Sequence, residues 1–482
     1  MKQPSISRAG TWSLAALLTV LGACSPKATT VATAPAPPAA TTVAEAAPVV
    51  PAAPAFQIPV DYYTLPNGLK VVLSPDHTAP TATVAAYYNV GFRNEPRNRT
   101  GYAHLFEHLM FQGSQNLGKM EFIQLVQKNG GVLNGSTRFD FTNYYEVVPA
   151  HKLETILWAE ADRMRGLAIT PANLKNQQEV VKNEVRVNVL NQPYGGFPWL
   201  DMPQKANKNW NNAHNFYGDL ADLDAATLED AKAFFKTYYA PNNAVLAVVG
   251  DFEPEQAKAW VEKYFAGIPS APQPPKPDLT EPRQEQEQRF TKDDKLATKP
   301  ALAFAYHMPE RNTPEYYALI LLDQILLQGQ DSRLYQALVQ KRGYTDNVSG
   351  GINYLGNAFN YAGPMLWMGN LTYDQNVSAD SVVSVLNQEI GRLQQAGITQ
   401  GTLDLAMVKL RSSLYDQLSG SDNFGRADLL ASFALFDNNP ARINTLEQEF
   451  RKVTPELMER TLREYLRPTN RTILIVNPLA KS

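Results

Sequence analysis

Three stretches of this 482-residue chain occur twice, in the same order. "QLVQKNGG" at 124–131 returns as "ALVQKRGY" at 337–344, and "GLAITPANL" at 166–174 returns as "QAGITQGTL" at 395–403. "YYAPNNAVLAVV" at 238–249 returns as "YLRPTNRTILIV" at 465–476. The spacing stays between 213 and 229 positions, so the repeated unit has the size of a whole domain rather than of a solenoid motif. Two similar domains follow. The Pro-rich, charged run "SAPQPPKPDLTEPRQEQEQ" separates the copies. It divides the chain into a first domain over 56–270, a linker over 271–290 and a second domain over 291–482.

Ahead of the first copy the composition changes. Lys2 and Arg8 precede an apolar stretch over 12–20 that is too short to span a bilayer as a mature helix, and small residues follow at 21–23. Residues 1–24 therefore read as an export signal. Cys24 is the only cysteine, so the chain forms no intramolecular disulfide and no cysteine-based metal site. "LGAC" resembles the bacterial lipobox, which implies a lipid on Cys24 and a lipid anchor in the membrane. Ser25 resembles the outer-membrane sorting pattern, so the expected place is the periplasmic side of the outer membrane of a Gram-negative bacterium. Residues 25–55 are Ala, Pro, Thr and Val with almost no charge; they cannot bury a core and form a stiff tether.

The chain carries a net charge of −3 and a pI near 6.1. It shows no arginine stripe and no Gly-rich phosphate cradle, which excludes nucleic acid as a partner. Within it, residues 70–73 and 81–90 read as strands broken by Pro, Asn-Gly and Asp. The period then becomes helical in "GYAHLFEHLMF", 101–111, which holds two of the six histidines four positions apart with an acid between them. On a helix His104, Glu107 and His108 share one arc, while Leu105, Phe106, Leu109 and Met110 cover the rest. Buried polar groups need partners, and two imidazoles one turn apart converge on a single metal ion at about 2.0 to 2.1 Å per nitrogen. Zinc fits such a pair. His77, His151, His214 and His307 have no comparable neighbours and read as solvated or structural histidines.

Two histidines leave zinc short of a third protein ligand. In "ITPANLKNQQEVVKNEVRVNVL" Thr170 is an expected N-cap, with Pro171 at the first helical position of a long helix. Glu184 lies on that helix one turn beyond Val180 and Val181. Taken alone, it reads equally well as a surface glutamate.

"VGFRNEPRNRTGYAHLFEHLMFQGS", followed 76 positions after His108 by the glutamate of "EVVKNEV", resembles the pitrilysin and insulinase family of zinc metallopeptidases. H-x-x-E-H is the inverzincin signature. The two-domain, processing-peptidase-like branch is nearest in size, and the resemblance runs over roughly residues 57 to 478. It implies one zinc per chain on His104, His108 and Glu184, with Glu107 as general base and Glu179 as a supporting group near the ligands. It implies a fold of the α+β class, each domain an antiparallel sheet of about five or six strands backed by α-helices on one side. "GGVLNGSTRFDFTNYYEVV" resembles the family's edge strand, to which an extended peptide substrate adds as a further strand. Asn134 stands at the substrate-contacting asparagine, although "NG" reads equally well as a hairpin turn.

The repeat places Ile320, Asp323 and Gln324 opposite His104, Glu107 and His108, and Ser413 opposite Glu184, so the second domain is expected to be metal-free. Two departures from the family pattern stand out. Gln177 occupies a position where many relatives carry a glutamate. Val339 and Asp346 occupy the positions of a substrate-binding arginine and tyrosine in "DSRLYQALVQKRGYTDNVSGG". Either a second subunit of the same family supplies that pair in a heterodimer, or the nearby Arg342 and Tyr344 substitute. The expected function is zinc-dependent endopeptidase action on peptides or unfolded segments at the bacterial cell envelope. The alternative is a non-catalytic, lipid-anchored binding or assembly subunit of the same fold.

Overall fold

The computed structural model describes residues 57–420 and 422–479; Cys24 and the segments expected as export signal (1–24) and tether (25–55) lie outside the described residues. From Phe56 onward the chain is one compact unit. Its first half contains strands β1 (Asp61–Thr64), β2 (Lys70–Pro75), β3 (Thr81–Tyr88), β4 (Val132–Thr137), β5 (Thr142–Pro149) and β6 (Ala244–Gly250). Helices α1 (Tyr102–Leu109), α2 (Leu153–Arg165), α3 (Pro171–Val185) and α4 (Asp201–Ala206) lie between them. The second half contains β7 (Gln288–Asp294), β8 (Ala301–His307), β9 (Ser349–Ile352), β10 (Leu366–Thr372) and β11 (Arg471–Pro478). Its helices include α5 (Pro314–Leu326), α6 (Ala379–Ala396), α7 (Gln400–Leu418) and α8 (Phe424–Phe436).

The strands form two sheets, ordered β1-β2-β6-β3-β5-β4 and β7-β11-β8-β10-β9. Without β1 the two orders correspond strand for strand, so the repeat in sequence is a repeat in topology. The sheets are mixed rather than wholly antiparallel. β2 pairs with β6 in parallel, and β7 with β11, because the helical layer between those strands supplies the crossover that a parallel neighbour requires.

Every residue of β6 and all but the first of β3 are buried. A strand of that kind needs cover on both faces of its sheet. Val84, Ala86, Tyr88, Leu246 and Val248 share a core with α1 and α2. Ala85, Tyr87, Val245 and Ala247 point the other way, into a core dominated by the second domain, where α8 packs against β3 and β6. In return α4 of the first domain packs against β8 and β11. Helices on one side only was the expectation; each sheet is instead sandwiched, with the second layer contributed by the other domain. Buried polar ties fix the arrangement. Tyr87 Oη donates to Asp428 Oδ1 at 2.8 Å, and Arg426 Nη1 reaches Asp76 Oδ2 at 2.6 Å. Arg93 pairs at 3.1 Å with Asp140, which also accepts from the backbone of Ala362 at 2.8 Å.

Candidate metal centre

α1 begins at Gly101, whose φ of +82° belongs to the left-handed region and whose Cβ, were there one, would lie 2.5 Å from the carbonyl oxygen of Tyr217. Glycine is needed there for both reasons. From that start the apolar positions of α1 bury themselves under the sheet, and the arc of His104, Glu107 and His108 faces α3. α3 forms as its sequence requires: Thr170 Oγ1 accepts from Asn173 N at 3.1 Å, and Pro171 occupies the first turn. A π-helical turn, Arg186–Leu190, follows directly after the last residue of α3, a deviation that is frequent at functional sites.

These two helices bring three ligand atoms together. His104 Nε2 and His108 Nε2 are 3.3 Å apart, and Glu184 Oε2 lies 3.2 Å from the His108 nitrogen and 3.7 Å from that of His104. Four ligands at about 2.0 to 2.1 Å around a tetrahedral zinc stand about 3.3 to 3.4 Å from one another. The three separations are close to three edges of that tetrahedron, so the donor set fits the metal. Among the described residues it is the one group of three such donors. Burial, reinforced by the neighbouring His108, pushes the His104 imidazole down to about 3, leaving it neutral with a free lone pair, the form that binds a metal. Burial pushes the Glu184 carboxyl up, but its contacts with His108, His104 and Tyr217 hold it below the usual carboxylate range. Tyr217 Oη donates to Glu184 Oε1 at 3.1 Å, which leaves Oε2 turned toward the histidines.

Glu107 stands beside this group without joining it. Its Oε2 accepts from Thr137 Oγ1, at the end of β4, at 2.7 Å. Burial raises the Glu107 carboxyl above its ordinary value, against the Thr137 bond and the nearby His108 and Arg138. β4 comes this close because Gly135 carries no side chain; a Cβ there would meet Glu107 Cγ at 3.3 Å. Asn134 is exposed inside β4, and the hairpin turns at residues 138–141 instead, which removes the reading of Asn-Gly as a turn. β4 is the outermost strand of its sheet. A groove of about 420 Å³, lined by Phe111, Ile123, Gln127, Val132, Leu133 and Asn134, runs beside it.

Other expectations end elsewhere. Glu179 does not reach the ligands: five positions before Glu184 it points off the far side of α3, where it pairs with Lys175 at 3.1 Å and Lys182 at 2.7 Å. Gln177 is buried and donates to Asn176. In the second domain Asp323 lies on α5 as the counterpart of Glu107. It accepts from Trp367 Nε1 at 2.6 Å, and burial pushes it up to about 7. Val339 is half-buried and Asp346 exposed, while Arg342 donates to Gln388 of α6 at 2.9 Å. His77 pairs with Asp251, and His307 with the carbonyl of Ala206. Sequence reasoning missed Thr137 and Tyr217, which hold Glu107 and Glu184. Their partners lie 30 and 33 positions away, and no local pattern marks them.

Comparison with known proteins identifies the family. Residues 70–195 match the family model described as insulinase (peptidase family M16), and residues 225–410 match the one described as the peptidase M16 inactive domain. The zinc protease PqqE of Helicobacter pylori is 26% identical over 425 residues, which cover 86% of this chain and 92% of that one. The mitochondrial-processing peptidase subunit beta of Saccharomyces cerevisiae is 22% identical over 370 residues, or 74% and 78% of the two chains. The crystal structure of a protease from Helicobacter pylori superposes with a TM-score of 0.80 at 26% identity, covering 87% of this chain and all of that one. With both M16 domains matched and the same two-domain fold, the chain belongs to the M16 peptidase family, whose members among its relatives are named zinc proteases.

Proposed function

We propose that this chain is a zinc-dependent endopeptidase that cleaves peptides or unfolded segments at the bacterial cell envelope. The observation that carries the proposal is the meeting of His104, His108 and Glu184 at tetrahedral spacing, with Glu107 held beside them by Thr137. Zinc bound by three protein ligands keeps an open position and supplies Lewis acidity, which polarises a carbonyl and acidifies water. The chain's own residues do the rest. Glu107 has one oxygen fixed by Thr137 and the other without a hydrogen-bonding partner among the described residues. That second oxygen takes a proton from water and passes it to the leaving amine, a task suited to a carboxyl that burial raises above its ordinary value. The free edge of β4 binds substrate as an added strand, with main-chain hydrogen bonds holding the peptide past Asn134.

Val339, Asp346 and the Gln388-bound Arg342 support a second subunit of the same family that supplies an arginine and a tyrosine. They also favour the second reading, a lipid-anchored binding or assembly subunit. Cys24 would carry the lipid that holds either form at the outer membrane. The test is hydrolysis of a quenched peptide library by the full-length chain, first alone and then with a candidate partner, before and after chelation. The proposal predicts cleavage that chelation abolishes and zinc restores. Zinc-loaded chain that cleaves nothing in either setting favours the binding subunit.

A further inference from the structure

A metal-ligating histidine almost always donates its second ring N–H to a carboxylate, a backbone carbonyl or water, and that bond fixes the ring. In His104 no protein group among the described residues fixes the ring in this way. Its Nδ1 is buried and has no hydrogen-bonding protein partner among the described residues. Phe216 and Tyr217 wall the ring, with centroids 5.2 and 5.0 Å away. Such packing limits the tilt of the imidazole but does not fix where α1 begins, and a shift of the helix carries His104 and His108 with it.

The start of α1 is gripped from outside the helix. Glu95 is fully buried, and its two oxygens accept from two first-turn amides: Oε2 from Gly101 N at 2.8 Å and Oε1 from Ala103 N at 2.7 Å. These N–H groups have no partner within the helix, and a carboxylate is the favoured group at that end of the macrodipole. His214 stands beside the carboxylate: its Nε2 is 3.4 Å from Glu95 Oε2, within ion-pair distance but without a hydrogen bond between them. The His214 ring stacks on Trp210 at 4.2 Å and 10°, meets Phe92 edge-on at 5.4 Å, and turns its Nδ1 to the carbonyl of Trp210 at 3.0 Å. The same segment touches the helix start directly, since a Cβ on Gly218 would lie 2.3 Å from Gly101 N. Three residues beyond His214, Tyr217 holds Glu184. One short segment, 210–218, thus braces the elements that carry all three ligands.

We infer that Glu95 and His214 are positioning residues of the metal centre: the His214 ring, locked by its stack on Trp210, packs against the carboxylate and confines it, the carboxylate fixes the first turn of α1, and the fixed helix places His104 and His108. The inference rests on the zinc-peptidase reading above. Its test compares the full-length chain with Glu95→Gln and His214→Phe, using zinc itself as the probe in competition with a chromophoric chelator. Glutamine offers one acceptor oxygen to two amides, while phenylalanine keeps the stack on Trp210 and removes both nitrogens.

Glu95→Gln is expected to weaken zinc binding 10- to 100-fold, the usual cost of losing an outer-shell partner, and to lower kcat with KM near that of the parent chain. His214→Phe is expected to give a smaller loss of the same kind. Far-ultraviolet circular dichroism establishes that each variant is folded at the assay temperature, and His214→Phe carries the test should Glu95→Gln not fold. Zinc affinity within twofold of the parent in the folded variants overturns the inference. A parent chain that binds no zinc removes the underlying reading instead, and that result is seen before any variant is compared.

Discussion

Thr137→Val isolates the contribution of one hydrogen bond to the acid–base group. The substitution keeps the buried volume and removes the 2.7 Å bond from Thr137 Oγ1 to Glu107 Oε2. A hydrogen bond to a charged group contributes about 1.5 to 3 kcal/mol, and 1.36 kcal/mol corresponds to one pKa unit. Burial raises the Glu107 carboxyl, and the Thr137 bond is the first of the groups that oppose it. Losing the bond therefore lets burial push the carboxyl further up. A general base must be ionised to act, so the pH at which kcat/KM falls on the acid side moves up with it. The assay is hydrolysis of a quenched peptide from pH 5 to 9 at measured zinc content. An acid limb that stays where the parent has it, with zinc still bound, refutes the role assigned to Thr137 and weakens that of Glu107.

Gly135→Val places a branched side chain at a Cβ position 3.3 Å from Glu107 Cγ; cleavage should drop at least about tenfold at unchanged zinc content, as expected for a displaced catalytic group. Glu179→Ala should leave both cleavage and zinc content as they are, because its partners are Lys175 and Lys182, on the side of α3 turned away from the ligands; a large loss of either places it nearer the chemistry than its geometry allows. Asp323 provides a pH test. Its carboxyl stands at about 7 in the fold, above an unfolded value near 3.9, so the folded chain holds the extra proton between those limits. Stability should fall as pH rises from about 4 to about 7, by a total on the order of 4 kcal/mol, and stay low above that. Asp323→Asn should remove this dependence in urea unfolding at pH 5 and pH 8; equal slopes for parent and variant contradict the assignment. Because α8 and α4 each cover the other domain's sheet, calorimetry should show both domains melting in one transition, and two separated peaks contradict a shared core.

Much of this was legible in the sequence, for physical reasons. Backbone repeats survive as spaced turn and strand signals, and the corresponding strand orders of the two sheets follow from them. α1 and α3 announce themselves by helical period and by the Thr170–Pro171 start. A signal for the sandwich was present and unread. "AVLAVVG" and "TATVAAYY" are continuous apolar runs, and an alternating pattern is what one-sided cover produces. The parallel pairs were hidden because pairing direction depends on crossovers far from the strands themselves. Glu179 shows the limit of proximity in sequence, since five positions on a helix turn a side chain well away from its neighbour. Thr137, Tyr217 and Glu95 depend on register between separate elements, which single-sequence periodicity does not encode.

The most direct measurement of the central claim sets the zinc-loaded parent chain beside Glu107→Gln at equal zinc content and follows cleavage of the same peptide. The account predicts that both bind one zinc and that cleavage by the variant falls by a factor on the order of 100 or more, the scale of a lost general base. Equal cleavage by the two forms contradicts it.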